Sequence, residues 1–211
     1  VDFLVFLVER RAELGTMCLQ HIFLVVTSTG IAVALGVPLG LMLTRRPHLA
    51  RPVMGFANVM QTIPSLALFG FLIPIPFLGG IGARTAIVAL VLYALLPILR
   101  NTYTGVLSVD PAVVEAGRGM GMTSWQRLHI VEIPLALPTI LAGVRIATVV
   151  SVGVATIAAA VGAGGLGDYI FRGLATVDNR LILAGAVPAA LLAVLADALL
   201  GSLQWALVRA R

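Results

Sequence analysis

Apolar residues fall into five long blocks, at about 19–44, 52–75, 84–106, 134–161 and 181–208, and the short intervals between them hold nearly all of the charge. Each block matches the ~20 apolar residues that an α-helix needs to cross a hydrocarbon core. The first block ends at Arg45-Arg46-Pro47, and the second at Pro74-Ile75-Pro76, followed by Gly79-Gly80. Ahead of them, Phe3, Leu4, Phe6 and Leu7 stand against Glu9, Arg10, Arg11 and Glu13, which predicts an amphipathic helix over residues 1–18 at the membrane surface. The longest polar interval, residues 108–132, carries Asp110, Glu115, Arg118, Arg127, His129 and Glu132. Its Asp110-Pro111 pair is a helix start, with Asp as N-cap and Pro at the first helical position. After the fourth block, the glycine-rich run 162–167 predicts a turn. The expected fold is an all-α membrane protein: an amphipathic helix at 1–18 and five transmembrane helices over 19–208, with a polar loop at 108–132.

Composition changes this picture little but excludes a good deal. Of 211 residues, 60% are hydrophobic and 11% are charged, and mean hydropathy is +1.07. Soluble domains carry about 25% charged residues, so a soluble protein is excluded. All 14 basic residues are Arg. Without Lys there is no Walker-A lysine, and no P-loop ATPase in this chain. The arginines stand singly or in pairs at block ends rather than in a basic stripe, so no nucleic-acid partner is expected. Arg45, Arg46, Arg51, Arg100, Arg118, Arg127, Arg209 and Arg211 fall on one side, and Arg10, Arg11, Arg84, Arg172 and Arg180 on the other. The excess places the 108–132 loop and the C-terminus in the cytoplasm. Cys18 is alone and His21, His48 and His129 are dispersed, so no metal site is expected. No cleavable signal peptide is apparent, and a chain that opens on Val1 leaves its native start open.

The polar loop has an internal order. It reads Glu115-Ala116-Gly117-Arg118-Gly119-Met120-Gly121, continues through Met122 to Val131, and closes on Glu132-Ile133-Pro134. By composition the interval is either an ordinary amphipathic interfacial loop or a helix that docks in a moving partner, which needs small residues for close approach, charge for register, and exposed adaptable apolar side chains for affinity. Ala116, Gly117, Gly119 and Gly121 supply the first, Glu115 and Arg118 the second, and Met120, Met122 and Trp125 the third. The spacing resembles the EAA motif of ABC importer permeases: Glu-Ala-Ala, three residues, Gly, nine residues, Ile, one residue, Leu-Pro. Glu115, Ala116, Gly121 and Pro134 match, while Gly117, Val131 and Ile133 replace Ala, Ile and Leu.

The segments 61–68, 95–105, 155–159 and 162–168 further resemble permeases of the osmoprotectant subfamily, which import glycine betaine, carnitine, choline and related quaternary amines. The resemblance implies a multi-pass subunit of a bacterial or archaeal plasma membrane whose 108–132 loop is a cytoplasmic coupling helix. It implies partners: two ATPase subunits, a second permease subunit (identical or homologous), and an external substrate-binding protein expected as a separate chain. ATP and magnesium would belong to the ATPase, leaving no cofactor and no catalytic residue here.

Several side chains inside the blocks carry two readings each. Gln61, Thr62, Ser65, Asn101 and Thr156 either line the solute path or form helix–helix hydrogen bonds, worth about 0.6–2 kcal/mol in membranes. Tyr93 and Tyr103 either meet a quaternary ammonium by cation–π contact or pack. Arg145 and Asp197 lie at equal depth, about 16 Å from the cytoplasmic end; they form an interhelical ion pair, or Arg145 bonds backbone carbonyls. Gly36 and Gly40 suit close helix packing. Asp168 and Arg172 are candidates for contact with the binding protein. Rival functions are a permease for another small solute such as an amino acid, an ion-coupled secondary transporter, and a membrane-embedded enzyme. The last lacks a catalytic cluster.

Overall fold

The computed structural model describes residues 2–209. Val1, with the open question of the chain's start, and Arg211, counted above as cytoplasmic, lie outside the described residues. Among those described, every regular element is helical. In chain order these are α1 (Asp2–Glu9), α2 (Arg11–Arg45), α3 (Pro47–Thr62), α4 (Ser65–Leu72), α5 (Ala83–Leu107), α6 (Pro111–Gly119), α7 (Ser124–Arg127), α8 (Ile133–Ile157), α9 (Gly167–Thr176) and α10 (Asn179–Arg209). A π turn, Leu128–Glu132, joins α7 to α8, and a 3₁₀ turn, Ala158–Val161, closes α8.

Four helical runs, α2, α5, Ser124–Val161 and α10, are each long and apolar enough to cross a membrane. The bent pair α3–α4 makes five if counted as one span. The bend is 105°. It falls at Ile63, extended at φ −69° and ψ 128°, because the ring of Pro64 disfavours helical geometry in the residue before it.

The boundary expected at residue 18 is not where the chain divides. α1 stops at Glu9, and residues 11–18 are the opening turns of α2. Met17 is buried there with Leu166, Tyr169 and Ala184, and Leu14 and Cys18 pack alongside. The amphipathic pattern of residues 11–18 therefore records cover by α9 and α10, not a helix lying free on a surface.

Lipid is as apolar as leucine, so membrane helices associate through close packing rather than exclusion from water. The contacts of α2, α5 and α8 follow that rule. Ala32, Ala94 and Ala147 are fully buried together with Ile98. Gly36 lies so close to α5 that an added Cβ would meet Ile98 Cγ2 at 2.8 Å, and at Gly40 it would meet Thr102 Cβ at 2.7 Å.

The connections define two ends of the bundle. At one end Arg45 of α2 reaches Glu132 before α8. At the other, Gln20 of α2 accepts from the Gly165 backbone, and Gly82 N–H donates to the Val161 carbonyl. The loop 108–132 and the C-terminal end of α10 share the first end; the glycine run shares the second with α9.

Candidate functional site

The loop at the first end folds into two short helices. α6 starts as the sequence predicts: the Asp110 carboxylate accepts from Ala112 N at 2.8 Å, with Pro111 next to the cap. Glu115, Ala116, Arg118, Gly119 and Met120 are exposed, Met120 at 71%. Gly117 is buried, and a Cβ there would sit 3.4 Å from Met122 Sδ, so Met122 folds back under the helix. Gly121 reverses the chain at φ +79°, a region that side chains rarely enter. α7 then begins with a reciprocal cap: Gln126 N donates to Thr123 Oγ1, and Thr123 N donates to Gln126 Oε1. Trp125 lies against His129, the rings tilted by 43° with centroids 3.8 Å apart, and lines a groove with the end of α2.

What anchors this loop is an ionic triad that sequence reasoning missed. Glu132, 3% exposed, accepts from Arg127 Nε at 3.0 Å and from Arg45 Nη2 at 2.5 Å. Arg127 is itself 6% exposed. A buried charge demands a partner, and each member was visible as a charge beside an apolar block. Their meeting was not visible, because residues five apart share a face only where the helix widens to π geometry, as it does over Leu128–Glu132.

At mid-bundle, the elbow between α3 and α4 opens beside a groove of about 400 Å³ lined by Gln61, Thr62, Pro64, Ser65, Tyr93 and two valines of α8. Four of the predicted path residues therefore come together here: Gln61, Thr62, Ser65 and Tyr93. Two of these side chains also repair the breaks. Pro97 has no N–H, which frees the carbonyl four residues earlier; that carbonyl, of Tyr93, accepts from Gln61 Nε2 at 2.9 Å. In return the Tyr93 hydroxyl donates to the Ile63 carbonyl at the elbow. Tyr93 is 6% exposed, with its ring in the core, so it offers no open face to a cation. Tyr103 packs against Leu43, Ala50, Leu96 and Leu99.

Asn101 and Thr156 lie elsewhere. Asn101 Nδ2 donates to the Pro97 carbonyl one turn back, at 2.8 Å, and packs where α5 meets Gly143 of α8. Thr156 donates to Gly153 O within its own helix and borders a separate groove between α8 and α10.

Arg145 of α8 and Asp197 of α10 form a two-pronged ion pair through Nε and Nη2, and the guanidinium lies over Gly201. Gln204 Nε2 donates to the Pro138 carbonyl at 3.0 Å, about two turns beyond Asp197 along α10. Asp197→Asn is expected to loosen the α8–α10 contact and lower the detergent melting temperature, with the parallel Gln204→Leu change adding to it. An unchanged melting curve for Asp197→Asn would show that the pair contributes nothing.

At the opposite end, Arg172 Nη2 donates to Glu13 Oε1 at 2.9 Å, and the Tyr169 hydroxyl donates to Glu13 Oε2 at 2.8 Å. Burial pushes the Tyr169 phenol up, and the hydrogen bond to Glu13 adds to it. Burial likewise pushes the Asp168 carboxyl up, against the pull of Arg172. Arg172 is thus committed to α2 through Glu13.

This arrangement of bent and straight spans, with a protruding helical loop, matches known proteins over nearly its whole length. Residues 36–210 match the family model described as binding-protein-dependent transport system inner membrane component. The osmoprotectant import permease protein OsmW of Salmonella typhimurium is 47% identical, covering 97% of this chain and 96% of its own. The carnitine transport permease protein OpuCB of Listeria monocytogenes is 46% identical, covering 96% and 91%. The choline transport system permease protein OpuBB of Bacillus subtilis is 45% identical, covering 91% and 87%. Among solved structures, an inward-facing form of the MetNI methionine ABC transporter superposes with a TM-score of 0.80 at 27% identity, over 89% of this chain and 93% of that one. The chain therefore belongs to the family of inner-membrane components of binding-protein-dependent transport systems, as a multi-pass ABC permease subunit and not a catalytic enzyme.

Proposed function

We propose that this permease carries a quaternary-amine osmoprotectant, of the glycine betaine, carnitine or choline type, into the cytoplasm. The observation that carries the reading is that the relatives named for osmoprotectant, carnitine and choline transport each align with more than nine-tenths of this chain. The 108–132 loop faces the cytoplasm and docks on a partner ATPase, which supplies the ATP and magnesium. The exposed face of α6, with Glu115, Ala116, Arg118 and the adjoining Met120, is the docking surface; Gly117 and Met122 shape it from beneath, and Gly121 turns the chain away at its end. Trp125 belongs to a different surface. A second permease subunit completes the path, and an external binding protein delivers the solute to the α9 end, near Asp168. Gln61, Thr62 and Ser65 face the path at the elbow, with Tyr93 as their brace.

The test is uptake of labelled glycine betaine, carnitine and choline by the complex reconstituted with its ATPase and binding protein. Wild type moves at least one of them only with ATP. Glu115→Lys reverses the docking charge, and Gly121→Trp forces a side chain into a left-handed turn at a cost of about 1–2 kcal/mol. Both are expected to lower ATP-driven uptake about tenfold or more while the spans stay folded. Uptake of an amino acid alone would move the substrate class. Uptake driven by an ion gradient without ATP would overturn the coupling reading.

A further inference from the structure

One wide groove plays no part in the solute path or the α6 surface. It opens between the last turns of α2 and the α7–π segment, and measures about 830 Å³. Its α2 wall is Pro38, Leu41 and Met42, and its other wall is Trp125, Leu128 and His129. Arg45 and Arg46 stand at its rim. Arg45 is held through Nη2 by Glu132. Arg46 is exposed and has no carboxylate partner among the described residues.

The groove is graded along the helix axis. Pro38 precedes Arg45 by seven residues, so the apolar wall runs about 10 Å inward from the charged rim. α2 crosses the membrane, and the gradient from cation to hydrocarbon therefore runs in the same direction as that of a phospholipid, headgroup outward and acyl chain inward. Trp125, 70% exposed, sits beside the charged rim, where indole is favoured at a membrane–water interface. Arginines at the end of a spanning helix attract anionic headgroups.

We infer that this groove is a binding site for an anionic phospholipid, with Arg46 as the principal headgroup contact, Arg45 beside it, and one acyl chain lying along Leu41 and Met42 under Trp125. The occupant is a lipid rather than a free phosphate because the floor of the site is apolar. The inference rests on the reading of α2 as a membrane span and is independent of which solute is carried.

Trp125 and Trp205 are the only tryptophans of this chain, so Trp205→Phe leaves Trp125 as its sole reporter, and the Trp125 signal is read as the difference from the same complex carrying Trp125→Phe as well, which cancels the tryptophans of the partner chains. The full complex carrying Trp205→Phe is reconstituted in phosphatidylcholine vesicles containing a minor fraction of lipid brominated in the acyl chain, either phosphatidylglycerol or phosphatidylcholine. Brominated phosphatidylglycerol is expected to quench Trp125 at about fivefold lower mole fraction than brominated phosphatidylcholine. Arg46→Glu and Arg46→Gln abolish that preference, Arg46→Lys retains most of it, and high salt weakens it. Equal quenching by the two lipids would overturn the proposal, leaving Trp125 as an ordinary interfacial residue. Quenching by neither would also overturn it, and would mean that protein covers the groove, either the ATPase or a second copy of the chain. A preference unchanged in both Arg46→Glu and Arg46→Gln would overturn it as well. ATP-driven uptake measured in the same vesicles reports on the transport assignment separately.

Discussion

Replacing Glu132 by alanine is expected to uncouple the transporter while leaving the five-span bundle inserted. The carboxylate is the hub of three charges. Without it Arg127, 6% exposed, keeps its charge in a buried position with no counter-ion. Removing one partner of a buried pair costs about 3–5 kcal/mol, because the remaining ion is left uncompensated. That is a large part of the stability of any local unit, so the α6–α7 segment detaches from α2 and α8. Hydrogen exchange should show amides of 111–132 losing protection while those of α5 do not. ATP-driven uptake should fall about a hundredfold, the equivalent of roughly 3 kcal/mol in a rate. Glu132→Gln is the milder control: it still accepts from one arginine and should lie between the two. Arg45→Ala should cost less than Glu132→Ala, since it leaves the Arg127–Glu132 bond in place. If Glu132→Ala transports at the wild-type rate, the triad is not what links the 111–132 segment to transport.

Gly167→Ala, the addition of one methyl group, is expected to be the most damaging small change in the chain. A Cβ at position 167 would sit 1.9 Å from the Thr156 carbonyl oxygen and 2.8 Å from Ala159 Cβ. The Thr156 carbonyl is backbone and cannot swing aside as a long side chain does. Overpacking typically costs about 1–3 kcal/mol and more where nothing yields, and a shift of α9 away from the 3₁₀ turn, which would relieve it, would pull Tyr169 out of its contact with Glu13. The expected result is a detergent melting temperature lowered by several degrees and reduced yield of folded protein. Gly119→Ala provides the contrast: a Cβ there meets nothing within 4 Å, so stability should be unchanged. Equal melting temperatures for the two variants would refute the packing argument.

Much of the fold was legible along the chain, for particular reasons. Span positions follow from the length of apolar blocks alone, so α5, α8 and α10 begin and end within a few residues of their expected bounds. Asp110-Pro111 acts through local backbone chemistry, and a cap stands where it occurs. The N-terminal boundary was not legible, because an amphipathic pattern looks the same whether water or α9 faces its two sides. The motif over 115–134 falls on a loop of two short helices, but the residues that hold that loop in place are another matter. Arg127 and Glu132 meet only through a π turn, and Arg45 joins them across 87 positions of sequence. Spacing carries no trace of either event. Trp125 was grouped with Met120 and Met122 because all three are apolar within one loop; the reversal at Gly121 sends it to the flank of α2 instead.

The bond between Gln61 and the Tyr93 carbonyl bears on how such a chain tolerates mutation. The acceptor is available because residue 97 is a proline. Any other residue at that position brings an N–H that competes for the same carbonyl within α5 and weakens its hold on the Gln61 amide. An apolar residue at 61, with Pro97 retained, strands the carbonyl in its turn. The double change removes donor and need together. Positions 61 and 97, 36 residues apart in sequence, are thus tied through a single hydrogen bond, and the effect of a substitution at one depends on the residue at the other.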